Sequence, residues 1–180
     1  TLLWAAGLRR SELVNLPLAR LDLEERRATV VGKGLKEREV FFDQATAEVL
    51  AGWLEQRATW TARDDTVFLS SEDGRRLTPG TISAMVREAA QKARLRKEVW
   101  PHLFRHTRIT DLLEKGMSLQ RVARFAGHSN INTTMGYYHE DSGRMRDDYD
   151  QAMAPKGAAR RRTPATLHKN PNMQEQQEPQ

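Results

Sequence analysis

Apolar positions follow two rhythms along this chain. Residues 2–6 read as the last turn of a helix closed by Gly7, and Ser11 is expected to cap the helix after it. Residues 20–23, 28–31 and 38–42 are short runs rich in β-prone side chains, punctuated by Gly32 and Gly34, and predict a small antiparallel meander. From Asp43, a suitable N-cap, the period becomes helical and sets Val49, Leu50, Trp53 and Leu54 on one face. Thr78 followed by Pro79 starts another helix, because proline suits the first helical position. Further helices are expected over residues 101–114, stopped by Gly116, over 118–126, stopped by Gly127, and over 131–138. Residues 140–153 make a last candidate. The order implies an α+β fold, mainly helical, with a small three-stranded antiparallel sheet.

Composition adds boundaries to that picture. With 180 residues the chain holds one domain of ordinary size, here 1–154, followed by a basic and polar tail, 155–180, with too few large apolar side chains to offset its chain entropy. Its first residue is Thr1, already inside a helical turn, so the chain is expected to be a fragment of something longer. There is no cysteine, which excludes disulfides, thiolate metal sites and cysteine nucleophiles and fits a reducing compartment. No apolar run approaches the roughly 20 residues of a membrane helix, and no leader pattern opens the chain. A cytoplasmic location with no membrane partner is therefore expected.

The net charge of +5 is a poor summary, because the excess is local: residues 75–108 carry 9 basic and 2 acidic side chains, whereas residues 1–74 carry 10 and 13. Within the basic stretch Arg75, Arg76, Arg87, Lys92, Arg94 and Arg96 surround the helix that starts at Pro79 and are the expected contacts to a polyanion backbone.

Five short segments carry candidate chemistry, each with a bland reading when taken alone. Gly7-Leu8-Arg9-Arg10-Ser11-Glu12-Leu13 puts arginines at a helix junction, and Gly32-Lys33-Gly34 puts a lysine at a hairpin tip. His102 and Arg105, three apart, share a helix face. Gly127-His128 holds a histidine just after a helix stop, and Thr133-Thr134-Met135-Gly136-Tyr137-Tyr138 holds two of the three tyrosines. Surface arginines, a solvated turn, capping histidines and packing tyrosines would look the same one at a time. Together they are the groups suited to phosphodiester transfer without a metal. Arginines grip phosphate oxygens in pairs and keep their charge. A tyrosine supplies the oxygen nucleophile, histidine titrates in the range needed to help with its proton, and lysine can protonate a leaving oxygen.

In this order, over roughly residues 1–150, the segments resemble the catalytic domain of the tyrosine recombinases, the phage integrase and Xer class of DNA recombinases. The family's G-L-R-x-S-E-L motif falls on Arg9, its hairpin lysine on Lys33, its H-x-x-R box on His102 and Arg105, its G-H pair on His128, and its T-T-x-x-Y pattern on Tyr137, with Tyr138 as the adjacent rival. The resemblance implies the tyrosine recombinase catalytic fold. It also implies site-specific DNA integration and recombination through a 3′-phosphotyrosine intermediate, with no cofactor and no metal. Arg9 and Arg105 would clamp the phosphate, Lys33 would protonate the 5′ oxygen, His102 would assist the tyrosine and His128 would bond the phosphate. Double-stranded DNA is the implied partner, met as a homo-tetramer, with residues 140–153 docking on a neighbour and an amino-terminal clamp domain missing. The alternatives are a truncated, inactive integrase acting as a DNA-binding regulator and a type IB topoisomerase.

Overall fold

The computed structural model describes residues 1–137 and Met153, with the Lys33 side chain outside the described part. Apart from Met153, the expected helix over 140–153 and the tail from 155 lie outside the described residues, as do Tyr138 and His139. Residues 1–139 form one unit, to which everything below belongs.

Helix α1, Leu2–Ala5, ends at Gly7, whose φ of +58° turns the chain sharply enough to send Leu8 into the core and Arg9 outward. Leu8 is 1% exposed. Helix α2, Arg10–Val14, then starts from Arg9, not from Ser11, which lies inside its first turn. The cap comes from the third helical position: the Glu12 carboxylate accepts the Arg9 backbone N–H at 2.8 Å. A glutamate at that position closes the turn from within, so no hydroxyl cap is needed.

The meander is formed as expected, with strands β1, Leu21–Asp22, β2, Arg27–Val31, and β3, Glu37–Phe41, in the order β1-β2-β3, all antiparallel. In the β2–β3 register Ala28 faces Val40 and Val30 faces Arg38. Directly opposed residues share a face, so Arg38 points with Val30 and Val40 toward the core side of the sheet. The connecting hairpin contains a 3-10 turn, Lys33–Leu35, in which Gly34 takes a φ of +74°.

Helix α3, Gln44–Ala58, is capped by Asp43, whose carboxylate accepts the Thr46 N–H at 2.9 Å. It buries Thr46, Ala47, Leu50 and Arg57, with Trp53 and Leu54 partly covered. Val49 is the exception to the expected face: it is 56% exposed. At 3.6 residues per turn it sits about 100° from Leu50, the centre of the buried stripe.

Helices α4, Pro79–Lys92, α5, Pro101–Glu114, α6, Leu119–Ala126, and α7, Asn132–Met135, complete the unit. Thr78 caps α4 through its hydroxyl, and Gly127, at φ +64°, ends α6 in the left-handed conformation. Helix α7 is shorter than expected and stops before Gly136, where glycine disfavours continuation. One core lies between the sheet and helices α1 to α4, and a second joins Ile109, Leu112 and Leu113 of α5 to Val122 and Ala126 of α6, with Tyr137 packed on it.

Burial fixes the expected cost of trimming this framework. Leu8→Ala should lower the unfolding free energy by about 2–5 kcal/mol, whereas Val49→Ala should change it by less than about 0.5 kcal/mol, both read from urea denaturation midpoints at constant m.

Candidate active site

The site is built around the end of α6. A helix leaves its last carbonyls without intrahelical donors. Here the N–H groups of Gly127 and His128 close back onto Arg124 and Ala123, which leaves the next carbonyls unfilled. Three arginines fill them. Arg38 donates through Nε to the Phe125 carbonyl at 2.9 Å, Arg105 donates through Nη2 to Ala126, and Arg9 reaches Gly127 at 3.4 Å. Arg105 also donates to the Gly7 carbonyl at 2.7 Å, at the end of α1. Its guanidinium is thus held between two helix C-termini, where the backbone dipoles favour a cation.

Glu12 supplies the counter-charge. It is 3% exposed, and both of its oxygens are occupied. Arg38 contacts them in a fork at 2.7 and 2.9 Å, and Arg9 Nη1 adds a third bond at 2.8 Å. Burial alone would raise the Glu12 pKa, but the Arg38 hydrogen bond and charge, together with the Arg9 backbone and side-chain bonds, bring it down to about 2. Arg105, 1% exposed, is pulled down to about 10 by burial and then by the charge of Arg9, and so stays protonated at neutral pH.

His128 follows directly on the left-handed Gly127. Its Nδ1 lies 2.7 Å from the Oγ1 of the fully buried Thr134, which fixes the ring by one edge and, among the described residues, leaves Nε2 without a partner. Burial, then the charges of Arg105, Arg9 and Arg38, lower its pKa to about 4, so it is neutral at pH 7. His102, one turn before Arg105 on α5 and exposed, is lowered by the same two kinds of cause, burial first and Arg105 next. The Tyr137 ring stacks on His128 at 6.3 Å between centroids and lies 4.6 Å from the ring of His106.

Of the expected site residues, Arg9, Arg105, His128 and Tyr137 come together here, and His102 lies on the same helix one turn away. The backbone of Lys33 lies at the hairpin tip; its side chain lies outside the described part. Three residues with clear places in the site were given no role from the sequence: Glu12, Arg38 and His106. Glu12 stood inside the first motif, but with arginine rather than a hydroxyl or Asx residue three positions before it the usual capping-box pattern was missing. Strand parity was the signal for Arg38, which shares the inward face with Val40.

A cleft of about 1190 Å³ opens beside the site, lined by Arg9, Arg38 and His128 together with Lys36, Arg121 and Arg124, against which stand Glu37 and Glu39. The cations expected to meet a polyanion are exposed but do not line it. Arg76 donates to the Asn15 side chain at 2.7 Å, and Lys92 pairs with Glu88 at 2.7 Å. Among the described residues, no group of three or more His, Asp or Glu side chains is placed to hold a metal ion.

The buried Arg105, the partly exposed Arg9 and a neutral histidine thus meet at one helix end with a tyrosine beside them, an arrangement chemically able to hold an anion next to a hydroxyl. The chain belongs to the phage integrase family, whose pattern it matches over residues 1–144. Among curated proteins it is similar to tyrosine recombinase XerC of Proteus mirabilis, 37% identical over 150 residues (83% of this chain, 49% of that protein), and of Pseudomonas aeruginosa strain LESB58, 40% identical over 151 residues (84% and 49%). It spans about half the length of these relatives. Among solved structures it is similar to XerA recombinase, with a TM-score of 0.72 and 30% identity over 86% of this chain and 56% of that one. It is also similar to XerH bound to its difH substrate before cleavage, with a TM-score of 0.71 and 27% identity over 86% and 45%. The fold is that of the tyrosine recombinase catalytic domain.

The shifted groups set a pH dependence. His128 binds a proton more weakly when folded, about 4 against an ordinary 6.5, so the unfolded chain takes up protons first and stability falls as pH drops through that window. Glu12, at about 2 against an ordinary 4.5, stabilises the fold above pH 4.5, and that contribution is lost on further acidification. Urea midpoints measured against pH should therefore decline from about pH 6.5 downward, and His128→Gln should flatten the upper part of that decline only.

Proposed function

We propose that residues 1–154 are the catalytic part of a site-specific DNA recombinase that cuts and rejoins DNA through a covalent 3′-phosphotyrosine. The observation that carries this reading is the meeting of Arg9, Arg105 and His128 at the end of α6 with Tyr137 beside them. In the first step the Tyr137 hydroxyl oxygen attacks the scissile phosphorus, the bond to the 5′ oxygen breaks, and the 3′ phosphate is left on the tyrosine. Arg9 and Arg105 hold the two non-bridging oxygens and neutralise the charge that grows in the pentavalent transition state. Neutral His128, with Nδ1 engaged by Thr134, offers Nε2 to a phosphate oxygen. The tyrosine proton passes to an imidazole, which the family pattern assigns to His102; the ring proximity of His106 supports it as a second acceptor. Lys33, on the hairpin, protonates the leaving 5′ oxygen. Rejoining reverses each transfer with a new 5′ hydroxyl, so the phosphodiester bond energy is kept and no cofactor is required.

Double-stranded DNA is the substrate of this reading, supported by the DNA-bound XerH relative and by the cationic cleft. The exposed Arg75, Arg76, Arg87, Lys92, Arg94 and Arg96 extend the basic surface, and assembly is as a tetramer on two duplexes, in the cytoplasm. No helix among the described residues is long and apolar enough to cross a membrane.

The full chain, mixed with a nicked duplex carrying the site it selects from a randomised pool, should form a denaturant-resistant adduct that Tyr137→Phe abolishes. Persistence of the adduct in that variant would refute the assignment. Arg9→Ala should slow adduct formation by roughly 10²- to 10³-fold, the usual cost of losing one donor to a developing oxyanion. Removing Arg75 and Arg76 together should weaken binding of all duplexes alike and reduce the slope of log K against log salt by up to about 2, as two lost phosphate contacts would.

A further inference from the structure

Arg38 is the one inward-facing charge on the sheet, and nothing in the proposed chemistry uses it. Its side chain is only 9% exposed and its guanidinium is engaged on three sides. Nη1 and Nη2 grip the two oxygens of Glu12, and Nε donates to the Phe125 carbonyl. Gly127 lies against it so closely that a Cβ at that position would stand 3.0 Å from Cδ and Nε. A group so fully engaged is poorly placed to take a phosphate oxygen as well. It does contact, directly or through one partner, three of the five segments to which the proposed chemistry gives a group, those of Arg9, His128 and Lys33. Glu12 bonds both the backbone and the side chain of Arg9; Phe125 and Gly127 belong to the turn that presents His128; and β3 is the returning arm of the hairpin whose tip holds Lys33.

Resting on the recombinase reading, we infer that Arg38 is a positioning residue that sets the aim of Arg9 by fixing the Glu12 carboxylate against the last turn of α6. The geometry requires arginine. A planar fork meets both carboxylate oxygens and still has a third edge for the carbonyl, whereas a lysine ammonium is one point on a flexible stem. With the fork gone, Glu12 turns toward whichever donor remains, and Arg9 turns with it. Misplacement on the scale of 1 Å of a group that grips the reacting phosphate is enough to cost about 10²-fold in rate.

The test compares two duplexes of the selected site, one with the natural scissile phosphate and one with an uncharged methylphosphonate in its place. Arg9 matters to the first because there is charge to neutralise and matters much less to the second. In the full chain, Arg38→Lys should form the covalent adduct about 10²-fold more slowly on the phosphate duplex, with duplex affinity close to wild type and most of the loss absent on the methylphosphonate duplex. A general loosening of the fold would slow both alike. Arg38→Met combined with Glu12→Gln removes both members of the buried pair at once, so neither is left facing the other's vacancy; it serves as the second variant where the lysine variant does not fold, and it should show the same selective loss. Wild-type rates in either folded variant, or equal losses on both duplexes, would overturn the inference. A wild-type chain that forms no adduct would overturn the recombinase reading and this inference with it, an outcome distinguished by the wild-type reaction alone.

Discussion

The last turn of α6 is the constraint from which the site follows. Among the described residues its carbonyls at 125, 126 and 127 have no backbone partners, and three arginines from three distant parts of the chain, Arg38, Arg105 and Arg9, each take one. Arg105 and Arg38 are held almost wholly out of water and Arg9 partly so, and burying a cation costs several kcal/mol in lost hydration unless it finds compensation. The helix dipole and the bare carbonyls offset part of that cost, and the single Glu12 carboxylate, bonded to two of the three, offsets more. The cations keep an unsatisfied excess of positive charge, and the natural occupant of such a place is an anion.

That arrangement explains the states of its neighbours. Burial, with the same positive field added, keeps His128 neutral, so at pH 7 it is a hydrogen-bonding ring rather than a fourth cation. Thr134, the buried residue of α7, holds one edge of that ring, and the short helix ends two residues before Tyr137. Histidines on two helices, His106 of α5 and His128 after α6, flank the phenol ring. The second apolar core, between α5 and α6, has Tyr137 packed against it and so ties that phenol to the same two helices that fix Arg105.

Much of this was legible in the sequence, because local rules and tertiary demands agree. β-Prone runs punctuated by Gly32 and Gly34 marked the meander, Thr78-Pro79 the start of α4, and Gly127 the end of α6. The motif order gave Arg9, Arg105, His128 and Tyr137. What stayed hidden depends on partners distant in sequence. Ser11 looked like the cap because hydroxyls usually are, yet Glu12 closes the turn since its carboxylate is already held inward by Arg38, 26 residues away. Val49 looked buried because it is apolar, but its angle on α3 faces away from the core. Charge counting drew attention to residues 75–96, while the cations that line the cleft, Lys36, Arg121 and Arg124, stand in segments of ordinary charge and are gathered only by the fold.

The central claim, that arginines aimed from one helix end converge with a tyrosine on a single phosphate, is open to direct inspection. A crystal structure of the full chain with its selected duplex, nicked at the cleavage position, and orthovanadate would trap a five-coordinate mimic of the reacting phosphorus. The account predicts vanadate with equatorial oxygens on Arg9, Arg105 and His128 and an apical bond to Tyr137 Oη, with Arg38 still on Glu12. Vanadate joined to another residue, or seated away from Arg9 and Arg105, would contradict it.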